Sequence, residues 1–112
     1  MDQKERLREI CAAYQKHGWQ LRRILIRPET RADFGKEQEF AGVEIEAAAN
    51  IDALWFSRPS YEQREAWELR LLAETPYALF ETFAADTSEA DRLDALRGME
   101  ERMREYLNSD KK

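Results

Sequence analysis

Apolar and polar residues alternate along residues 65–84, which is the period-two pattern of a half-buried β-strand. Leu69 and Leu71, for example, share one parity of this run. A tripeptide that ends in Pro76 interrupts the alternation, which then resumes over residues 77–83. The pattern therefore predicts two neighbouring strands of an antiparallel sheet.

Two further segments predict strands. The first is Trp19–Arg27, which Pro28 ends, and the polar residues after it (28–38) are typical of a long connecting loop. The second is residues 43–58, which is too long for one ordinary strand of up to ~10 residues. The sequence leaves two alternatives open for that segment, a hairpin with a turn at Ala47–Asn50 and one bent strand.

Helical periodicity appears at both ends of the chain. Apolar residues recur every three or four positions from Gln3 to His17, and Gly18 is a natural stop after them. A second apolar stripe follows Ser88, which is a favoured N-cap residue. Residues 109–112 are expected to fray.

These elements together predict an α+β fold. We expect an N-terminal helix, an antiparallel four- to five-stranded sheet in meander order, and a C-terminal helix. A chain of 112 residues has the length of one domain, so residues 1–112 are interpreted as a single unit.

Charge and cysteine content narrow the class of protein. The net charge of −5 disfavours binding to nucleic acid or to an anionic membrane surface. The single cysteine, Cys11, cannot form a disulfide within the chain. The charged N-terminal residues do not resemble a signal peptide, and no apolar run has the length of a membrane span. We therefore expect a cytoplasmic protein.

The sequence contains no recognisable catalytic motif. His17 is the only histidine, and the four glycines do not form a phosphate-binding loop. One histidine and one cysteine cannot form a structural zinc site within the chain. We therefore expect neither a metal site nor a cofactor, and the absence of motifs favours a non-enzymatic protein.

Alternate residues of a strand face opposite sides of the sheet, so one set should be polar if only one side is buried. Several of the predicted strands carry apolar residues in both sets. Two short helices are expected to cover one face, which would leave an apolar patch near the upper range for a monomer. We therefore expect a protein-interaction module, with a homodimer formed through this face. The alternative is one helix on each face. The residues assigned to the interface are Ile24, Ile26, Leu54, Phe56, Leu72 and Phe80.

Arginines around the exit of the first predicted strand suggest a second hypothesis. Arg22, Arg27 and Arg31 concentrate positive charge in an otherwise acidic chain, which is suited to gripping a carboxylate or phosphate. Ordinary ion pairs with neighbouring glutamates are the alternative interpretation. The competing function is thus a small-molecule or anion binder, or a small enzyme, with a pocket between sheet and helices lined by tryptophan and arginine.

Overall fold

The computed structural model describes residues 3–34 and 43–110. Its helices and strands follow one another along the chain in the order α1 (Gln3–Gln15), β1 (Gln20–Ile26), α2 (Pro28–Phe34), β2 (Glu44–Ala47), β3 (Ala53–Pro59), β4 (Glu65–Leu71), β5 (Ala78–Phe83) and α3 (Glu89–Asp110). A short 3₁₀ turn at Tyr61–Gln63 lies between β3 and β4.

The five strands form one sheet in the order β2-β1-β3-β4-β5, and the α+β class is confirmed. Strands β3, β4 and β5 pair antiparallel in sequence order, as a meander should. The other side of the sheet differs from the expected meander. Strand β1 lies between β2 and β3 and pairs with β2 in parallel.

Helix α2 explains the parallel pair, because parallel neighbours need a crossover connection. We had expected a long loop over residues 28–38, but residues 28–34 form α2 and residues 35–38 lie outside the described ranges. Proline is favoured at the first position of a helix, so Pro28 ends β1 and begins α2. Residues 43–58 form neither a hairpin nor one bent strand, since β1 separates β2 from β3.

The ends of the helices follow the expected signals. The backbone N–H of Asp91 donates to Ser88 Oγ at 3.1 Å, which caps the start of α3. Gly18, just after α1, has a φ of +85°, a conformation that glycine adopts readily. Helix α3 continues to Asp110, and residues 111–112 lie outside the described part of the chain.

The helices lie on opposite faces of the sheet, so the expectation that both cover one face is wrong. Helix α1 packs on one face through Leu7 and Ile10, and α3 packs on the other through Met99 and Met103. Each face consequently has its own apolar core, and apolar residues of both strand parities are buried. This arrangement accounts for the apolar residues that we had assigned to an exposed interface.

Five of those six residues are buried within the chain, on the face that α1 covers. They are at most 3% exposed, and they are Ile24, Ile26, Leu54, Phe56 and Leu72. Phe80 on β5 differs, since its side chain is 55% exposed. Phe80 is exposed because of the width of a helix. An α-helix such as α1 is about 10 Å wide, so it covers only two or three strands that are about 4.8 Å apart. Strand β5 lies beyond that width.

Candidate functional site

The two helices are offset across the sheet, which leaves part of each face uncovered. Helix α1 packs beside β1 and α2, whereas α3 packs beside β4 and β5. Within the described residues, the α1 face is therefore open at β5, and the α3 face is open at β2 and the first half of β1. These two open regions have opposite chemistry, and both are candidates for binding.

The first region is the apolar edge surface, which we define as Ala78, Phe80 and Thr82 of β5 together with Trp19. Ala78 and Phe80 are exposed, and Thr82 is half-buried. The ring of Phe80 meets the ring of Trp19 edge-on, with 6.2 Å between the centroids. Among the described residues, β5 pairs with β4 alone, so its outer side is an open sheet edge.

Trp19 connects this surface to the core under α1. Its side chain is 9% exposed, and the guanidinium carbon of Arg58 lies 4.7 Å from the centroid of its ring. Arg58 Nη1 also donates to the backbone oxygen of His17 at 2.7 Å. The two contacts hold an arginine over the aromatic face, which is a favourable cation–π arrangement.

Tyr14 marks the border between the covered and open parts of the α1 face. Its ring stacks on Phe56 with 4.1 Å between centroids, and its hydroxyl donates to Glu68 Oε2. Burial raises the pKa of Tyr14 well above its usual range, and the hydrogen bond to Glu68 raises it further. The phenol is therefore held in its protonated, donating form.

The second region is the charged groove, which we define by the residues that line it. It measures about 350 Å³ and is lined by Arg22, Arg23, Glu44, Glu65, Trp67 and Arg92. Arg23 lies 3.6 Å from Glu44 and 3.5 Å from Glu46, and Arg92 lies 3.6 Å from Glu65. Three guanidinium groups thus share the groove with two carboxylates, in a chain with net negative charge.

Arg22 reaches this groove because of a β-bulge. The register between β1 and β3 shifts between Leu21 and Arg23, so Arg22 is the extra residue on its strand. Its Nε donates to Ser57 Oγ at 2.8 Å, and within the described residues it forms no ion pair. The bulge breaks the alternation of faces and lets Arg22 join Arg23 on the α3 side.

The arginines of the proposed anion site are not brought together. Arg22 lines the charged groove, Arg27 lines a groove at the other end of β1, and Arg31 lines a third beside α2. Arg27 is already paired, since its Nη2 lies 2.9 Å from Asp52 Oδ2 and its Nη1 lies 3.6 Å from Glu29. The three arginines are close in sequence but do not form one site, because the bulge and α2 direct their side chains into different grooves.

Asp52 is a buried acidic residue with several hydrogen bonds, and the sequence analysis did not predict a role for it. Its carboxylate is 5% exposed and accepts the backbone N–H of Arg27 at 2.8 Å. It also accepts the Arg27 guanidinium and, at 2.8 Å, the Thr30 hydroxyl. The hydrogen bond between the Arg27 guanidinium and the Asp52 carboxylate raises the pKa of Arg27. The cluster joins β3 to the start of α2, and all its buried polar atoms have partners, so its role is structural.

Neither of the two single-copy reactive residues lies in these regions. Cys11 is buried in the core under α1, and His17 is exposed after the end of α1. Within residues 3–34 and 43–110, no three histidine, cysteine or acidic side chains cluster as metal ligands would. No helix in these same ranges is long and apolar enough to cross a membrane.

Comparisons with protein-family models, curated proteins and solved structures found no significant match to this chain. The function is therefore argued from the two open regions.

Proposed function

We propose that this chain is a non-enzymatic protein-interaction module that forms a homodimer through the apolar edge surface. The observation that carries the proposal is an open edge strand, β5, with an exposed aromatic side chain, Phe80, near its middle. The proposal keeps the interaction class expected from the sequence and moves the contact from the sheet face to the sheet edge.

The two edges of the sheet differ in a way that supports this choice. Strand β2 has four residues, and two of them, Glu44 and Glu46, are charged. Short and charged edges are the usual protection against pairing with another chain. Strand β5 has six residues with the sequence Ala-Leu-Phe-Glu-Thr-Phe, so it carries one charge and two aromatic rings. Of the two edges, β5 is the one suited to pairing.

Sedimentation equilibrium tests the proposal directly. The wild-type protein is expected to be dimeric at micromolar concentration, and Phe80→Glu is expected to be monomeric, because pairing would desolvate its carboxylate. The variant should remain folded, since Phe80 is exposed in the single chain. Its thermal midpoint should fall modestly, because the dimer no longer stabilises the fold and the new carboxylate lies opposite Glu68. Tyr61→Glu is the matched control, because Tyr61 is 80% exposed on the turn between β3 and β4. A wild type that stays monomeric at high micromolar concentration contradicts the proposal.

The charged groove supports a second candidate function, anion binding between the sheet and α3. The supporting observation is that Arg22, Arg23, Arg92 and Trp67 line one groove. The Nη atoms of Arg22 have no carboxylate partner among the described residues, and such groups suit a carboxylate or phosphate ligand.

Titration with inorganic phosphate and with succinate, followed by NMR, tests this candidate. In the wild type we expect shifts at the Arg22 Nε and Trp67 indole N–H signals. In Arg22→Gln the shift at the Trp67 indole N–H should be lost. Arg31→Gln is the matched control, because Arg31 lies in a different groove. Signals that do not move with either anion at millimolar concentration contradict anion binding here.

A further inference from the structure

We infer that the homodimer is a continuous ten-stranded sheet in which two β5 strands pair antiparallel, with Phe80 of one copy opposite Phe80 of the other. The inference rests on the proposed homodimer and specifies its register. It follows from the direction of the backbone groups of β5, from two-fold symmetry and from the positions of its charged and apolar residues.

The direction of the backbone groups is fixed by the pairing with β4. The N–H of Leu71 donates to the carbonyl of Tyr77 at 2.9 Å, so Tyr77 directs its hydrogen-bonding groups toward β4. In an antiparallel pair these directions alternate from one residue to the next. The N–H and C=O groups of Ala78, Phe80 and Thr82 therefore point away from β4, toward the open edge.

Two-fold symmetry leaves few registers for two such edges. An axis perpendicular to the sheet keeps each face on its own side, so one residue of β5 must lie opposite itself. When that residue is Phe80, Ala78 lies opposite Thr82 of the second copy, and all three outward-facing residues are hydrogen-bonded. When the residue opposite itself is Leu79 or Glu81 instead, only two of the three outward-facing residues lie opposite a residue of β5 in the second copy. Pro76 cannot extend the ladder at its start, because it has no N–H.

Charge and packing favour the same register. A centre at Glu81 would place two carboxylates directly opposite each other, which is unfavourable. With Phe80 at the centre, Glu81 lies opposite Leu79 of the second copy. The two Phe80 rings then meet on the open α1 side, where each already contacts Trp19 of its own chain. The result is a row of four aromatic rings across the junction, and such pairs add to the stability of an interface.

Cysteine pairing tests the register. A mixture of Ala78→Cys and Thr82→Cys proteins should form a disulfide-linked dimer with one chain of each kind, because opposite residues lie about 5.5 Å apart. Each variant alone should not link through the new cysteine, since its two copies would be separated by four residues along the strand. Wild type controls for Cys11, which is buried, and mass mapping identifies the linked residues.

Hydrogen exchange on the wild-type protein gives a second measurement without a substitution. The amides of Ala78, Phe80 and Thr82 should exchange about tenfold or more slowly in the wild-type dimer than in monomeric Phe80→Glu. A dimer that shows neither the mixed disulfide nor this protection overturns the register and leaves the homodimer standing. Self-linking of Ala78→Cys also overturns the register. A monomeric wild type overturns both proposals.

Discussion

The two open regions of the sheet differ in whether their exposed groups have partners within the chain. In the charged groove, Arg23 and Arg92 lie within ion-pair distance of carboxylates of the same chain. On the apolar edge surface, Phe80 remains 55% exposed and the outward backbone groups of β5 have no strand beside them among the described residues. Most charges of the first region are therefore paired within the chain, with Arg22 as the exception, whereas the second region leaves an aromatic ring and backbone groups of β5 without a partner among the described residues.

Two phenylalanines show that the sheet face on which a residue lies does not by itself determine whether the residue is buried. Phe56 and Phe80 lie on the same face of the sheet, on β3 and β5, with β4 between them. Phe56 is fully buried, because Tyr14 of α1 stacks on it. Phe80 is exposed, because α1 does not extend over β5. The position of a strand relative to a covering helix decides which of two equivalent apolar residues becomes surface.

The largest expected effect comes from placing the same charge at these two positions. Phe56→Glu should leave the protein unfolded, since loss of a core phenylalanine costs about 3–5 kcal/mol and burial of the carboxylate costs several more. Whole domains are stable by only about 5–15 kcal/mol. Phe80→Glu should remain folded. Urea unfolding followed by circular dichroism measures both, and similar unfolding midpoints would contradict the distinction between core and edge.

A second comparison concerns the two kinds of arginine on β1 and just after it. Arg27→Gln should destabilise the protein by about 2–3 kcal/mol, because it leaves the buried Asp52 carboxylate short of charged donors. Arg23→Gln should cost less than about 1 kcal/mol, because its partners Glu44 and Glu46 are largely solvated. Urea unfolding free energies measure both. Equal losses of unfolding free energy in the two variants would show that the ion pairs of Arg23 are stronger than solvent-exposed ion pairs usually are.

A smaller, pH-dependent effect is expected at the border residue Tyr14. Its raised pKa means that the folded chain holds this proton more tightly than the unfolded chain does. The resulting stability is fully present below about pH 10, the usual pKa of tyrosine, and is lost as the pH rises further. Tyr14→Phe should therefore cost about 1 kcal/mol at pH 8 and less at pH 10.5.

Urea unfolding of wild type and Tyr14→Phe at both pH values checks this expectation. Tyr61→Phe is the control, because it removes the same hydroxyl from a side chain that is 80% exposed. A difference between wild type and Tyr14→Phe that stays constant with pH would contradict the role of Glu68 and burial in holding the phenol protonated.

The sequence predicts the local elements of this fold better than their arrangement. Alternation gave β4 and β5, and the Ser88 cap and Gly18 gave helix ends, because these signals depend on neighbouring residues. Pro28 was misinterpreted, since proline can end a strand and begin a helix at the same position. The parallel pairing of β2 depends on that helix, so this error carried over to the sheet order.

The candidate sites were harder to predict, because they depend on contacts between distant segments. The interface prediction included Phe80 but could not separate it from Phe56, since their difference depends on the strand order and on which strands α1 covers. The anion prediction included Arg22 but omitted Arg92, which comes from α3. Asp52 carried no signal of its burial, because its partners Arg27 and Thr30 lie in the segment that we had interpreted as the end of a strand and a loop.

The bond between Arg27 and Asp52 has a consequence for motion. The two residues are 25 positions apart, and their contact closes the stretch of chain that contains α2 and β2. Strand β2 is bound to the sheet along β1 alone within the described residues, so we expect it to open locally while both cores stay intact. Each opening would carry Glu44 and Glu46 away from Arg23. The local unfolding equilibrium of one short strand would then set how often Arg23 joins Arg22 as a second unpaired guanidinium group in the charged groove.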